Sequence, residues 1–325
     1  MLLVTHACCL RCKYCFVQQD SKEHMSEETF LKSVDFLMSS SSPHVQLQFF
    51  GGEPLFAPFP LIKKAITYAK RKAAEKNKLL DIIITTNGVM INKRMIGFFK
   101  KNNVVIELSL DGDEKSQNIN RPQRKGFPSF YSLIVKNLPL IFKEKVDCRA
   151  SMVVTPETAD RLVGNFKHLI DLGFEKIFIM TACGVFWPKS KLSSLKKNLN
   201  ELGSAYIELT KKKKNINFLN LKEWMPPFRM NTELSVDFDG NIYSACISYL
   251  IHDRKKKKQF NLGNINKVKR SIDFYETRRL SNPGAMQAIF EENKILDNLP
   301  SNIKAGETMS DFVKSLRQKY HEKAG

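Results

Sequence analysis

Short β-rich runs, several with apolar and polar residues alternating, recur near residues 2–5, 45–50, 80–85, 104–110, 146–154 and 175–181 and predict strands. Between them, residues 26–40, 57–76, 92–101, 128–143 and 157–171 carry apolar side chains at helical spacing. Strand followed by helix, repeated, predicts a parallel sheet with right-handed crossovers. Periodicity leaves open whether that sheet closes. Beyond a lysine-rich helical stretch from Lys189 to Lys214 the pattern changes. Glu233 to Cys246 alternates on both sides of Asp239-Gly240, a hairpin signal, and Asn261 to Ile265 reads as a trailing strand.

Immediately after the first predicted strand stands Cys8-Cys9-Leu10-Arg11-Cys12-Lys13-Tyr14-Cys15. Three thiolates on one short loop can each hold one iron of a cubane cluster, which normally takes four protein ligands. One iron would be left open to bind a small molecule. A zinc site would need a second Cys or His pair downstream, and none appears. A disulfide would suit a secreted chain, but Met1 to His6 does not read as a signal peptide, so the thiols are expected to be reduced and intracellular. Cys9, Cys12 and Cys15 also form a Cys-x2-Cys-x2-Cys series of the ferredoxin kind, which lacks its fourth Cys followed by Pro.

Polar residues and glycines gather at the ends of the predicted strands. Phe49-Phe50-Gly51-Gly52-Glu53-Pro54 ends one, Thr85-Thr86-Asn87-Gly88 the next, and Ser109-Leu110-Asp111-Gly112 the third. A glycine pair lets the backbone bend and approach a ligand closely, leaving peptide groups free to bind it. Recurrence at successive strand ends points to one shared face.

Taken together, Cys8-x3-Cys12-x2-Cys15, Gly-Gly-Glu-Pro, Thr-Asn-Gly and Ser-Leu-Asp-Gly resemble the radical S-adenosylmethionine superfamily. The resemblance is greatest to its peptide- and protein-modifying branch with a carboxy-terminal SPASM or twitch extension. It implies an α/β fold, a partial (β/α)6 TIM-like barrel with a small carboxy-terminal α+β extension. The expected division is a barrel over residues 1–188, a helical linker over 189–228 and a degenerate extension with a helical tail over 229–325. The resemblance also implies one [4Fe-4S] cluster on Cys8, Cys12 and Cys15, with S-adenosylmethionine beside it. Tyr14 would pack near the adenine. Gly51, Gly52 and Glu53 would receive the amino group of the methionine moiety, Ser109 and Arg121 would hold the ribose and carboxylate end, and Asn87 would complete the cofactor contacts.

Other residues read more plainly. Asp111 belongs to an Asp-Gly pair and reads as turn chemistry. His6 reads as a packed histidine, Cys148 as a buried thiol within a strand and Cys183 as structural. SPASM extensions bind auxiliary clusters through many cysteines, whereas this segment has Cys246 alone, so it is expected to be free of clusters. In sulfatase-maturing relatives the corresponding Cys is followed by an Asp that acts as base; here Ile247 follows. Formylglycine formation is therefore disfavoured. Asp237 and Asp239 are the remaining candidate bases, and both read first as hairpin turn residues.

Lys and Arg number 52 against 33 Asp and Glu, giving a net charge of +19, much of it in blocks such as Lys211–Lys214 and Lys255–Lys258. Those blocks lack the interleaved aromatics of a single-strand nucleic-acid surface, so nucleic acid is not the expected partner. No run of about 18 apolar residues would cross a membrane. The expectation is a cytoplasmic radical S-adenosylmethionine enzyme of the iron-sulfur oxidoreductase class. It would take hydrogen from a peptide or protein side chain and draw electrons from a low-potential flavodoxin- or ferredoxin-type donor. A catalytically silent scaffold of the same fold is the rival reading, with RNA modification and plain electron transfer behind it.

Overall fold

The computed structural model describes residues 1–15, 17, 22–123, 129–212, 215–222, 234–244, 257–258, 260–267, 290–291 and 294–321. Six strands, β1 (Leu2–Thr5), β2 (His44–Gly51), β3 (Leu79–Thr86), β4 (Val104–Ser109), β5 (Cys148–Val154) and β6 (Lys176–Thr181), pair in sequence order, all parallel. A short β7 (Asn217–Phe218) continues the series on β6. This is the expected α/β architecture with parallel crossovers, the partial TIM-like barrel.

The helices that return the chain are α1 (Glu27–Met38), α2 (Phe59–Glu75), α3 (Lys93–Asn102), α4 (Glu114–Asn120), α5 (Phe130–Lys143), α6 (Leu162–Asp171) and α7 (Lys189–Lys211). Their starts follow from local chemistry. Ser26 caps α1 by accepting from Thr29 N–H, Asn92 caps α3 through Met95 N–H, and Asp113 caps α4 through Ser116 N–H. Asn103, in the left-handed region at φ 54°, ends α3. Apart from the short α4, which buries Ser116, Gln117 and Asn120, these helices lay apolar faces on the sheet. Ile62, Ile66, Ile96, Phe99, Ile134, Leu138, Phe166 and Leu169 meet Ile82, Ile84, Ile106, Leu108, Ala150, Met152, Ile177 and Ile179 in a continuous core.

Within the segment 189–228, expected as a linker, the described residues include a packed helix. Helix α7 buries Leu195, Leu199, Leu202 and Tyr206, and α8 (Leu299–His321) lies against it, with Ala305, Met309, Phe312 and Val313 in the same core. The expected hairpin is present as β8 (Leu234–Val236) and β9 (Asn241–Ser244), antiparallel, with the trailing β10 (Asn261–Asn264) on β9. Strand β8 pairs parallel with β1, so the described strands form one sheet in the order β10-β9-β8-β1-β2-β3-β4-β5-β6-β7. The first strand thus sits inside the sheet, and the loop that follows it has neighbours on both sides.

Candidate functional site

The Cys loop leaves the carboxy end of β1 and is tied down along its length. Arg11 N–H donates to Pro122 O at 2.8 Å, Lys13 N–H to Asn120 O at 2.9 Å, and Cys15 N–H closes a turn on Cys12 O at 3.0 Å. The side-chain amide of Asn87, from the end of β3, donates to Cys8 Sγ at 3.6 Å and Cys9 Sγ at 3.5 Å. A hydrogen bond from the Cys9 thiol lowers the Cys8 pKa to about 6 in spite of burial, and Leu10 N–H and Asn87 add to the effect. Donating to Cys8, and being buried, pushes Cys9 upward. Burial raises Cys12 to about 12, with the Arg121 charge opposing.

Gly51 and Gly52 serve the protein's own chain. A Cβ on Gly51 would lie 2.4 Å from Thr5 O, and one on Gly52 2.3 Å from Ala7 O. The peptide groups expected to stay free for a ligand are engaged in part: Gly52 N–H donates to Thr5 O and Glu53 N–H to Ala7 O, both at 2.8 Å. Glu53 is fully buried. Its Oε1 accepts from Leu55 N–H at 3.0 Å and Thr86 Oγ1 at 2.8 Å, and its Oε2 from Asn87 N–H at 2.7 Å. Burial raises its pKa to about 7, with the Cys8 charge adding and the three donors opposing. The carboxylate therefore pins the ends of β2 and β3 together beside the thiols.

Asp111 proves to be the hub of a buried network that its Asp-Gly context did not reveal. It accepts from Tyr14 Oη at 2.8 Å, Asn120 Nδ2 at 3.1 Å, Val153 N–H at 2.9 Å, and Arg121 Nε and Nη2 at 3.0 Å each. The Arg121 guanidinium also lies over the Tyr14 ring, 5.3 Å from its centroid. Tyr14 and Arg121 thus come together on a shared carboxylate. The short helix α4 delivers Asn120 and Arg121, and the turn before it delivers Asp111. Ser109 ends β4 opposite Ser151 on β5.

A second buried carboxylate holds the loop from the other flank. Asp237, at the end of β8, accepts from His6 Nε2 at 2.9 Å and Lys257 Nζ at 2.8 Å. Burial alone would raise its pKa; the His6 hydrogen bond and the charges of His6 and Lys257 overcome that and hold it below the usual carboxylate range. Asp239 accepts from Asn241 in the turn. Both aspartates are thus committed to the hairpin and its anchoring. Cys148 is buried within β5, and burial raises Cys183 to about 12. Cys246 and Ile247 lie outside the described residues.

These residues fit a thiolate-ligated iron-sulfur cluster: thiols on one loop, one of them acidic, with an amide aimed at sulfur and a guanidinium nearby. Among the described residues no three His, Cys, Asp or Glu side chains converge on a single ion position, as a mononuclear site would need, whereas a cubane takes each thiolate on a separate iron.

The model of the Radical SAM superfamily matches residues 2–185. The serine-type anaerobic sulfatase-maturating enzyme of Klebsiella aerogenes is 28% identical over 172 residues, 51% of this chain and 42% of that protein. The cysteine-type enzyme of Clostridium perfringens (strain ATCC 13124) is 28% identical over 175 residues, 52% of this chain and 47% of that protein. The match thus spans less than half the length of these relatives. The solved structure of native anSMEcpe with bound AdoMet and Kp18Cys peptide superposes with a TM-score of 0.70 at 20% identity, over 93% of this chain and 83% of that one. At that identity the likeness speaks for the fold.

Proposed function

The chain belongs to the radical SAM superfamily, and from that premise we propose that it is a peptide- or protein-modifying enzyme that initiates its reaction at the Cys loop. The chemistry that a four-iron cluster and S-adenosylmethionine supply when bound is one-electron cleavage to a 5′-deoxyadenosyl radical, which takes hydrogen from a substrate. The observation that carries this reading is the placing of Cys8 and Asn87 sulfur-to-amide at the strand ends where Glu53 is also buried. Cys8, Cys12 and Cys15 would hold the cluster, and Asn87 would donate to its sulfur ligand.

Each remaining residue has a role that its contacts allow. Glu53 uses three of about four carboxylate acceptor positions, leaving one on Oε2 for the methionine amino group. Arg121 gives Nε and Nη2 to Asp111, so a cofactor carboxylate would meet its Nη1. Tyr14, fixed by Asp111, offers its ring to the adenine. The Ser109 hydroxyl would serve the ribose.

A peptide substrate is supported by the sulfatase-maturating relatives and by the peptide-bound solved structure of similar fold. Formylglycine formation is not proposed, because Asp237 and Asp239 are engaged within the hairpin. A low-potential flavodoxin- or ferredoxin-type donor and a cytoplasmic setting complete the proposal. No described helix is long and apolar enough to cross a membrane.

The test is 5′-deoxyadenosine production by the anaerobically reconstituted, reduced protein given S-adenosylmethionine, with Cys12→Ala as control. Product from the wild type alone is expected. Equal product from both would remove the Cys loop from the reaction.

A further inference from the structure

A row of polar side chains crosses β2, β3, β4 and β5 on one face of the sheet. Gln48 Nε2 donates to Thr85 Oγ1 at 2.9 Å, and Thr85 Oγ1 donates to Glu107 Oε1 at 3.1 Å. Glu107 Oε2 pairs with Arg149 Nη2, the two residues facing each other in register. One step further along the same strands, and on the same face by the period-two rule, Ser109 faces Ser151. Their alternates, Ile106, Leu108, Ala150 and Met152, belong to the core beneath the helices, so the polar row looks away from the helices into the barrel.

The row is incompletely satisfied. Arg149 Nε is buried and has no hydrogen-bond partner among the described residues. Ser109 and Ser151 accept through their carbonyls, from Gln117 and Leu110, while their hydroxyls meet no partner among the described residues. Folded chains rarely leave a buried donor unpaired, and functional sites account for many of the exceptions. An unpaired N–H on Arg149, with the Ser151 hydroxyl two positions along the same strand and face and the expected cofactor contact Ser109 opposite it, is the form of a site awaiting a ligand.

The charges narrow what that ligand is. Glu107 cancels Arg149, so neither an anion nor a cation finds a net opposite charge there. Both Glu107 oxygens are already engaged. What remains is the unpaired Nε–H, with the guanidinium N–H groups that Glu107 does not take, and a hydroxyl that can donate or accept. We propose that Glu107, Arg149 and Ser151 form a subsite for an uncharged carboxamide of the substrate. The carbonyl would accept from Arg149 Nε–H and the amide N–H would donate to Ser151 Oγ. The proposal rests on the peptide-substrate reading and deepens it, since a carboxamide is either a backbone peptide or an Asn or Gln side chain.

The reconstituted holoprotein, labelled with 15N-arginine, tests this through the Nε–Hε resonance of Arg149. That resonance is assigned by its loss in Arg149→Lys, or by its displacement in Glu107→Gln if the first variant does not fold. The probes are propionamide, N-methylacetamide, propionate and propylammonium, each titrated with S-adenosylmethionine present. A saturable shift with an amide, at an affinity about tenfold or more above either charged probe, is expected. Preference for propionamide points to an Asn or Gln side chain, and preference for N-methylacetamide to a backbone peptide. Absence of a saturable shift, or propionate binding as tightly as the amides, overturns the proposal. So does a shift caused by S-adenosylmethionine itself that blocks the amides, which would give the row to the cofactor. Failure here with 5′-deoxyadenosine still formed leaves the proposed function standing; an Arg149 shift without 5′-deoxyadenosine locates the failure in that function.

Discussion

Two buried carboxylates flank the Cys loop, and they hold it in different ways. Asp111 draws donors from Tyr14, Asn120, Arg121 and Val153, all within the first half of the chain. Asp237 joins His6, near the start of the sequence, to Lys257, 251 residues further on. Asp111 has a guanidinium that is itself 8% exposed, so neither charge can turn to water. Lys257 is 17% exposed and sits over the Tyr243 ring, from which a lysine head can swing into solvent. The barrel-side clamp is therefore the rigid one, and the extension-side clamp is the one that can let go.

Removal of Asp111 should have the largest effect. Asp111→Ala strands the Arg121 charge in the interior and is expected to cost about 3–5 kcal/mol of stability in denaturant unfolding, with iron uptake reduced. Asp237→Ala leaves a lysine that can rehydrate, so about 2 kcal/mol is expected from the same measurement. If the second loss equals or exceeds the first, the contrast between the clamps is wrong. The depressed pKa of Asp237 adds a pH signature. Its contribution is present above the ordinary carboxylate range and is lost as pH falls through the lower folded value, so Asp237→Asn should flatten that part of the acid unfolding profile.

Tyr14→Phe removes one donor from Asp111 and keeps the ring under Arg121. A loss of about 1.5 kcal/mol is expected in thermal unfolding, less than for either carboxylate. Gly240→Ala tests the hairpin without touching a charge. At φ 84° an alanine is strained, with its Cβ 3.0 Å from Asn266 Nδ2, and a loss of about 1 kcal/mol is expected.

Much of the barrel was legible because its elements are locally specified. Strands β2 to β6 and helices α1 to α3 fall within about two residues of their expected bounds, each marked by period, caps or glycines. The Asp239-Gly240 hairpin announced itself through turn chemistry. Helix α4 did not, since Glu114 to Asn120 holds a single apolar residue, Ile119, and so shows no periodicity. Asp111 was hidden for another reason. Its partners Tyr14 and Val153 lie 97 and 42 residues away, and no local spacing encodes them. Gly51 and Gly52 gave a true signal of close approach, but the partner that approaches is the backbone of Thr5 and Ala7. The polar pairing of Glu107 with Arg149 depends on strand register, which the run of sequence alone does not fix.

The pairing of β8 with β1 has a consequence for the order in which the molecule is made. Leu2 meets Val236, and the His6–Asp237 bond closes a span of 231 residues. Such a contact is among the most costly in chain entropy and forms late, after the neighbouring barrel units have condensed. During synthesis the thiols emerge first, and the barrel-side clamp can assemble once Val153 has left the ribosome. The extension-side clamp waits for Asp237 and Lys257. Between those events the nascent chain passes through a stage with its Cys loop positioned on one flank and open on the other.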